Sequence, residues 1–183
     1  MTARPAERRE LWAIAGLLLL LTMVPLAAAS NVIINLLVSA LILAIAAQGW
    51  NLIGGYGGQM SFGHAAFFGA GAYAAAILQV RYSVNAWLAF VCAIAIGGLL
   101  GAAIGALVFR AGLRGSYFAL ITLAFSEALR ILAHAAPMTG AAVGILIPLD
   151  ARPENFQFHS RAAFAWIAIA LVGFAMLLTR LIV

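Results

Sequence analysis

Residues 54–64 read Gly-Gly-Tyr-Gly-Gly-Gln-Met-Ser-Phe-Gly-His, and long apolar stretches lie on both sides of them. Five of the ten residues from 54 to 63 are glycine, a poor helix former, so we do not expect a stable helix to continue through this segment. Irregular backbone at membrane depth is tolerated only inside protein or along a water-filled path. A flexible loop between two spans and a broken helix beside a transport route therefore both remain open. The candidate path residues in the segment are Gln59, Ser61 and His64.

The rest of the chain is too apolar for a soluble fold. Of its 183 residues, 66% are hydrophobic and 8% are charged, and the mean hydropathy is +1.12. Soluble domains have about 45–50% apolar and about 25% charged residues. The composition excludes a soluble enzyme, a disordered chain and a fibrous repeat, and it predicts an all-α, polytopic transmembrane helical bundle.

Six stretches are predicted to cross the membrane, because a span needs about 20 mostly apolar residues. They are Leu11–Ala29, Val32–Ile53, Phe62–Val80, Asn85–Phe109, Gly115–His134 and Ala162–Val183. Residues 1–10 are predicted to form a cytoplasmic tail, and residues 11–183 a single transmembrane domain. The mixed segment 135–161 is expected to hold a short re-entrant or surface helix.

The positions of the arginines predict the orientation, since cytoplasmic loops carry an excess of basic residues. All ten basic residues are arginine. With the N-terminus in the cytoplasm, six arginines fall inside, three fall outside, and Arg130 lies within a span. Those inside are Arg4, Arg8, Arg9, Arg110, Arg114 and Arg180, and those outside are Arg81, Arg152 and Arg161. The segment 135–161 then faces the exterior.

The first span has an alternative interpretation. Arg8-Arg9, the apolar stretch after them and Ala27-Ala28-Ala29-Ser30 resemble a cleavable secretory signal with its cleavage site. The apolar stretch is longer than the usual core of such a signal, and the next span begins within a few residues of Ala29. Both features favour a helical hairpin.

Two further patterns lie within the spans. Gly97, Gly101 and Gly105 are spaced four apart, so they form one flat stripe on which another helix can pack closely. Glu127 and Arg130 are spaced three apart, so they can pair on one face of a helix. Because charges in a membrane are costly, we expect this pair to face the bundle interior, fixing the helix register or lining a path or gate. The alternative is that Arg130 extends to the exterior interface.

Other kinds of site have little support in the sequence. His64, His134 and His159 are too far apart to suggest a metal site, and Cys92 is the one cysteine. We find no phosphate-binding Gly-Lys-Ser/Thr motif, no motif of a catalytic nucleophile and no basic stripe for nucleic acid. The chain is therefore predicted to have no cofactor, metal, catalytic residue or nucleic-acid partner.

Two blocks of sequence resemble a known family. Residues 51–69, from Asn51-Leu52-Ile53-Gly54 to Phe67-Phe68-Gly69, are similar to the signature of the branched-chain amino acid ABC transporter permeases of the LivH/LivM type. Residues 113–127, from Leu113-Arg114-Gly115-Ser116 to Phe125-Ser126-Glu127, resemble the block that follows in the LivM branch. The resemblance covers residues from about 32 to 180. The chain departs from the family at Thr139-Gly140-Ala141-Ala142-Val143-Gly144, where a second glycine normally stands in place of Ala141.

The resemblance implies a function and a set of partners. A permease of this type forms the membrane route of an importer for Leu, Ile and Val, other amino acids, urea or short amides, in the bacterial inner membrane and in contact with lipid. Its partners are ABC ATPase subunits, a second permease subunit and a periplasmic substrate-binding protein. Beyond the part that resembles this chain, such permeases continue for well over a hundred residues, which include the segment that docks on the ATPase. We therefore expect this chain to be the N-terminal part of a permease. Alone, that part would not support ATP-driven uptake. The alternatives are a non-transporting remnant and a self-sufficient channel or secondary carrier.

The predicted orientation can be tested with two cysteine variants, Ala6→Cys and Ala151→Cys, each in a Cys92→Ala background. In intact cells, an impermeant thiol reagent should label residue 151 and leave residue 6 unlabelled, because only residue 151 is predicted to face the exterior. Labelling at residue 6 but not at residue 151 would reverse the orientation.

Overall fold

The computed structural model describes residues 5–27 and 30–183. Helices and short turns make up its regular structure, and no strand occurs in these two ranges, so the predicted all-α fold is confirmed. The helices are α1 (Pro5–Ala27), α2 (Asn31–Asn51), α3 (His64–Tyr82), α4 (Ala86–Arg110), α5 (Ser116–Ala135) and α6 (Arg161–Ile182). A π-helical turn, Leu52–Tyr56, continues α2, so the helix extends through Gly54 and Gly55, against the prediction.

Ala28 and Ala29 of the alternative cleavage site lie outside the described residues.

By length and apolar character, the predicted number of six spans is too high. Four helices are long and apolar enough to cross a membrane, Asn31–Tyr56, Ala86–Arg110, Ser116–Ala135 and Arg161–Ile182, and a shorter apolar stretch lies at Leu11–Ala27. α3 has 19 residues but is not among the four, because its glycines and the polar side chains of His64, Gln79 and Arg81 lower its apolar character.

The described residues divide into two compact units. One comprises the chain up to Gly49 together with Phe158–Val183, and the other comprises Trp50–Gln157. In the first unit, α2 and α6 bury Leu41, Ile169 and Val172 in a common core. Two hydrogen bonds add polar links between these helices: Arg161 Nη1 donates to Asn35 Oδ1 at 2.8 Å, and Thr179 Oγ1 donates to Gln48 Oε1 at 3.1 Å.

In the second unit, small residues let α3 and α4 approach closely. A Cβ atom at Gly71 of α3 would lie 3.3 Å from the carbonyl oxygen of Ala93 in α4. Two glycines of the predicted stripe face the same helix, since Cβ atoms at Gly97 and Gly101 would contact Phe67 of α3 at 3.5 and 3.9 Å. The third, Gly105, faces Phe109 of its own helix instead.

The segment between α5 and α6 holds two 3₁₀ turns, Pro137–Thr139 and Pro153–Asn155, each of three residues. The expected surface or re-entrant helix is therefore absent from residues 136–160, all of which the structure describes. Proline explains the difference, because Pro137, Pro148 and Pro153 lack the amide that a helix interior needs and restrict the residue before them.

A tight turn follows the first 3₁₀ turn. Gly140 and Gly144 have φ of +76° and +79°, and a Cβ atom at Gly140 would overlap with the carbonyl oxygen of Gly144. Ala141, the residue that replaces a glycine in the sequence pattern, has φ of +51°. This left-handed conformation costs a residue with a Cβ about 1–2 kcal/mol. The backbone at position 141 therefore retains the conformation that suits glycine.

We predict that Ala141→Gly raises the free energy of unfolding by about 1 kcal/mol, because it removes the steric cost of the left-handed conformation. The control is Ala142→Gly at the next position, which has no positive φ and should lose about 0.4–1 kcal/mol through the greater freedom of the unfolded chain. Denaturant unfolding in detergent micelles, followed by circular dichroism, measures both. Equal destabilisation by the two variants would contradict the strain at position 141.

Candidate functional site

The glycine-rich segment does not cross the membrane boundary as a free loop, since it runs along the start of α5. The side chain of Gln59 accepts a hydrogen bond from the amide of Gly115 at 3.1 Å, immediately before α5 begins. Three residues later, the amide of Phe62 donates to the hydroxyl of Thr122 at 3.1 Å. Thr122 is the seventh residue of α5, about 9 Å along its axis at 1.5 Å per residue. The chain therefore moves inward along α5 before α3 starts.

This path places the start of α3 beside Thr122, within the length of the candidate span formed by α5. The first residue of α3, His64, follows directly after the contact with Thr122. Near the other end of α3, Arg81 Nη2 donates to the carbonyl oxygen of Pro137 at 2.7 Å, just beyond the end of α5. α3 thus lies parallel to the last two-thirds of α5. The irregular residues 57–63 connect the π-helical turn after α2 with the start of α3, as the irregular segment of a broken helix does.

Protein groups hydrogen-bond to several polar groups of the irregular segment. Trp50 Nε1 donates to the carbonyl oxygen of Ser61 at 3.0 Å, and the amide of Gly63 donates to the Ser61 hydroxyl at 3.2 Å. Ser61 and Thr122 are each only 3% exposed. Because an unpaired backbone group inside a bilayer costs several kcal/mol, these bonds make an ordered break in the helix possible at this depth.

Two residues at the start of α3 have unusual surroundings. A Cβ atom at Gly63 would lie 3.1 Å from the carbonyl oxygen of Thr122 and 3.3 Å from its Cβ, so glycine allows the close approach to α5. The Nδ1 atom of His64 is buried and has no hydrogen-bond partner among the described residues. The His64 ring packs edge-on against Phe67, with ring centroids 6.1 Å apart.

A cavity of about 390 Å³ lies between α3 and α5. Small residues of α3 form one wall: Ala65, Ala66, Gly69 and Ala70. The rest of the lining consists of the apolar residues Leu129, Leu132, Ala133 and Ala136 and the polar residues Tyr73, Ser126, Arg130, His134 and Thr139. The cavity is therefore a mostly apolar space bounded by a few polar groups, as small-molecule sites usually are.

Glu127 and Arg130 form the predicted ion pair. Arg130 Nε donates to Glu127 Oε2 at 2.9 Å, and Arg130 Nη2 donates to Glu127 Oε1 at 2.5 Å. The expectation that the pair faces the bundle interior is wrong for this chain, since the side chains of Arg130 and Glu127 are 58% and 53% exposed. Glu127 lies on the side of α5 away from Phe118, Ala119 and Thr122, whereas Arg130, about three turns after Ala119, lines the cavity.

The depth of this pair makes its exposure significant. Glu127 is the twelfth of the 20 residues of α5, about 17 Å from the start of a helix about 30 Å long. The hydrocarbon core of a bilayer is also about 30 Å thick, so the pair lies near its middle. Charges at this depth almost always face water or other protein groups. We therefore expect this face of α5 to contact something other than acyl chains.

The predicted site residues fall into two groups. Gln59, Ser61 and His64 belong to the irregular segment and the start of α3, while Arg130 lines the cavity and holds Glu127. No cluster of three or more potential metal ligands occurs in residues 5–27 and 30–183. The sequence did not single out Thr122, Tyr73, Ser126 or Thr139. The sequence does contain one signal for Thr122: its hydroxyl lies on an otherwise apolar face of the helix. A buried hydroxyl needs a hydrogen-bond partner.

A family model described as the permease component of branched-chain amino acid transport systems matches residues 32–181. The chain belongs to this permease family. This result confirms the resemblance seen in residues 51–69 and 113–127. Together with the apolar helices, it supports a multi-pass membrane protein.

Two curated relatives of this permease are high-affinity branched-chain amino acid transport system permease proteins named LivM. The protein of Escherichia coli (strain K12) is 38% identical over 96 residues, which cover 50% of this chain and 21% of that protein. The protein of Salmonella typhimurium (strain LT2) is 32% identical over 99 residues, which cover 54% of this chain and 23% of that protein. The matched part of the permease thus spans less than a quarter of these relatives. No solved structure matches the chain.

We predict that Thr122→Val lowers the free energy of unfolding of the permease by about 1–3 kcal/mol, because the partly buried amide of Phe62 loses its acceptor. Thr122→Ser keeps the hydroxyl and should retain most of the stability. A second control, Thr22→Val, removes a hydroxyl that donates to the Leu19 carbonyl within α1 at 2.7 Å, and should have a smaller effect. Denaturant unfolding in micelles measures all three. A Thr122→Val variant as stable as the wild type would show that the contact does not hold the segment.

Proposed function

We propose that this chain forms part of the membrane route of an ATP-driven importer for branched-chain amino acids or related small amino acids and amides. Membership of the permease family and the names of the two LivM relatives support the proposal. The observation that carries it is the ion pair of Glu127 and Arg130, exposed near mid-membrane and adjoining an apolar cavity.

The chemistry of this site suits a zwitterion with an apolar side chain. An amino acid carries an ammonium group, which Glu127 can attract, and a carboxylate, which the guanidinium of Arg130 can bind in a bidentate manner. The pair stays neutral overall without a solute, so the site does not hold an unpaired charge in the membrane. The adjoining wall of Ala66 and Gly69 offers apolar space to an aliphatic side chain.

We further propose the setting in which the chain works. It lies in the bacterial inner membrane with its N-terminus in the cytoplasm, as the arginine distribution predicts. A second permease subunit covers the exposed face of α5, so that the route runs between two permeases. ABC ATPase subunits power the cycle, and a periplasmic binding protein delivers the solute. The break in the helix at residues 57–63 supports this arrangement, because discontinuous helices border substrate routes in other transporters.

The proposal predicts that the double variant Glu127→Gln and Arg130→Gln inserts and folds but loses ATP-dependent uptake. The permease containing this chain is reconstituted in vesicles with its ATPase, partner permease and binding protein, and uptake of labelled leucine is measured. We expect a loss of about tenfold or more, because the neutral amides replace charged hydrogen-bond partners of the solute.

The matched control is Glu154→Gln, which also removes an exposed carboxylate, but from the loop between α5 and α6. It should leave uptake unchanged. Unfolding in micelles and the amount of inserted protein must agree among all variants, so that a change in uptake reports on the site. Wild-type uptake by the double variant would show that the pair serves packing alone and would overturn the proposed route.

A further inference from the structure

The loop between α5 and α6 contains the apolar run Val143-Gly144-Ile145-Leu146-Ile147-Pro148-Leu149, which has no charged residue. Three of its aliphatic side chains point away from the protein. Val143 is 85% exposed, Leu146 is 84% exposed and Leu149 is 98% exposed. A run of aliphatic side chains this exposed is unfavourable in water, since burying each of them is worth about 1.5–3 kcal/mol. Another phase or another molecule therefore covers the run.

Several contacts fix this loop at the ends of helices. Arg81, at the end of α3, bonds to Pro137 at 2.7 Å. Trp87 Nε1, in the first turn of α4, donates to the carbonyl oxygen of Pro153 at 2.8 Å. The ring of Phe156 packs on the ring of Trp87 with centroids 4.4 Å apart. Because α4 and α5 are long and apolar enough to span the membrane, these contacts hold the loop at the level where the bilayer meets water.

The loop has two sides with different chemistry. Beyond Leu149, the chain becomes polar: Asp150 forms an ion pair with Arg152 at 2.6 Å and accepts a hydrogen bond from Asn155 at 2.9 Å. The hydrogen bond from Arg152 holds the pKa of the Asp150 carboxyl below its ordinary value, so it stays charged at neutral pH. An apolar run beside a charged cluster suits a boundary between lipid and water better than a uniform environment.

The backbone sets the depth of this segment. The amides of Ile145, Leu146 and Ile147 donate to no group within the described residues. Inside the hydrocarbon core, unpaired amides of this kind would each cost several kcal/mol. In the layer of head groups, water and phosphate or carbonyl oxygens can accept these hydrogen bonds while the side chains reach the acyl chains.

We propose that residues 143–149 are a membrane anchor, inserted into the outer head-group layer of the phospholipid bilayer. Val143, Leu146 and Leu149 reach toward the acyl chains, and the charged cluster around Asp150 remains in water. The anchor fixes the exterior ends of α3, α4 and α5 relative to the bilayer through the contacts of Pro137, Pro153 and Phe156. It requires no transport substrate, so it stands or falls independently of the proposed route.

The test uses site-directed spin labels on the full chain in vesicles of phosphatidylethanolamine and phosphatidylglycerol. Leu146→Cys and Leu149→Cys are compared with Glu154→Cys, all in a Cys92→Ala background. The accessibility of each label to oxygen, which concentrates in lipid, is measured against its accessibility to a water-soluble nickel complex. We expect the oxygen-to-nickel ratio to be several-fold higher at residues 146 and 149 than at residue 154.

Equal ratios at the three positions would overturn the anchor, since the run would then lie in water. The measurement is repeated with the ATPase, partner permease and binding protein present. The labels at residues 146 and 149 could instead be accessible to water in the chain alone and become shielded from both reagents only when these subunits are present. In that case a protein covers the run, and the proposal is wrong. A high ratio that is unchanged by the added subunits supports it.

Discussion

Backbone amides that leave the helical pattern inside a bilayer must find acceptors within the protein, and the arrangement of α3 and α5 depends on this requirement. Within residues 57–63, the amide of Phe62 meets it through the hydroxyl of Thr122, and the amide of Gly63 through the hydroxyl of Ser61. Once these bonds are made, the depth at which α3 begins is fixed. The alignment of α3 with α5 follows, up to the bond between Arg81 and Pro137.

That alignment also determines where the empty space lies. Because α3 starts beside Thr122, its small residues Ala66 and Gly69 stand opposite Ser126 and Arg130 of α5. Small side chains on one wall and a longer polar side chain on the other leave the cavity between the helices. The Glu127 partner of Arg130 projects from the same region of α5, so the charged pair and the apolar space adjoin because one helix register places both.

The sequence was enough to predict local patterns within one helix. It was not enough to predict where a helix begins relative to its neighbours or which of its sides is exposed. Composition was enough to predict an all-helical membrane protein, and the spacing of Glu127 and Arg130 was enough to predict their pairing. Which side of α5 is exposed depends on how α3 and α4 pack against it, and no spacing within α5 contains that information. The importance of Thr122 was similarly hidden, because it depends on a partner 60 residues away. The fold of the 135–161 segment could have been foreseen better, since its prolines argue against a helix.

The weak apolar character of α3 has a consequence for how the protein is made. A segment that carries His64, Gln79 and Arg81 partitions poorly into a bilayer on its own, whereas the apolar helices on either side of it partition well. α3 therefore depends on its close packing with α4, where Gly71 meets Ala93, to remain in the membrane. If that packing failed during synthesis, α3 would be left on one side of the bilayer. Every helix after it would then cross the bilayer in the opposite direction.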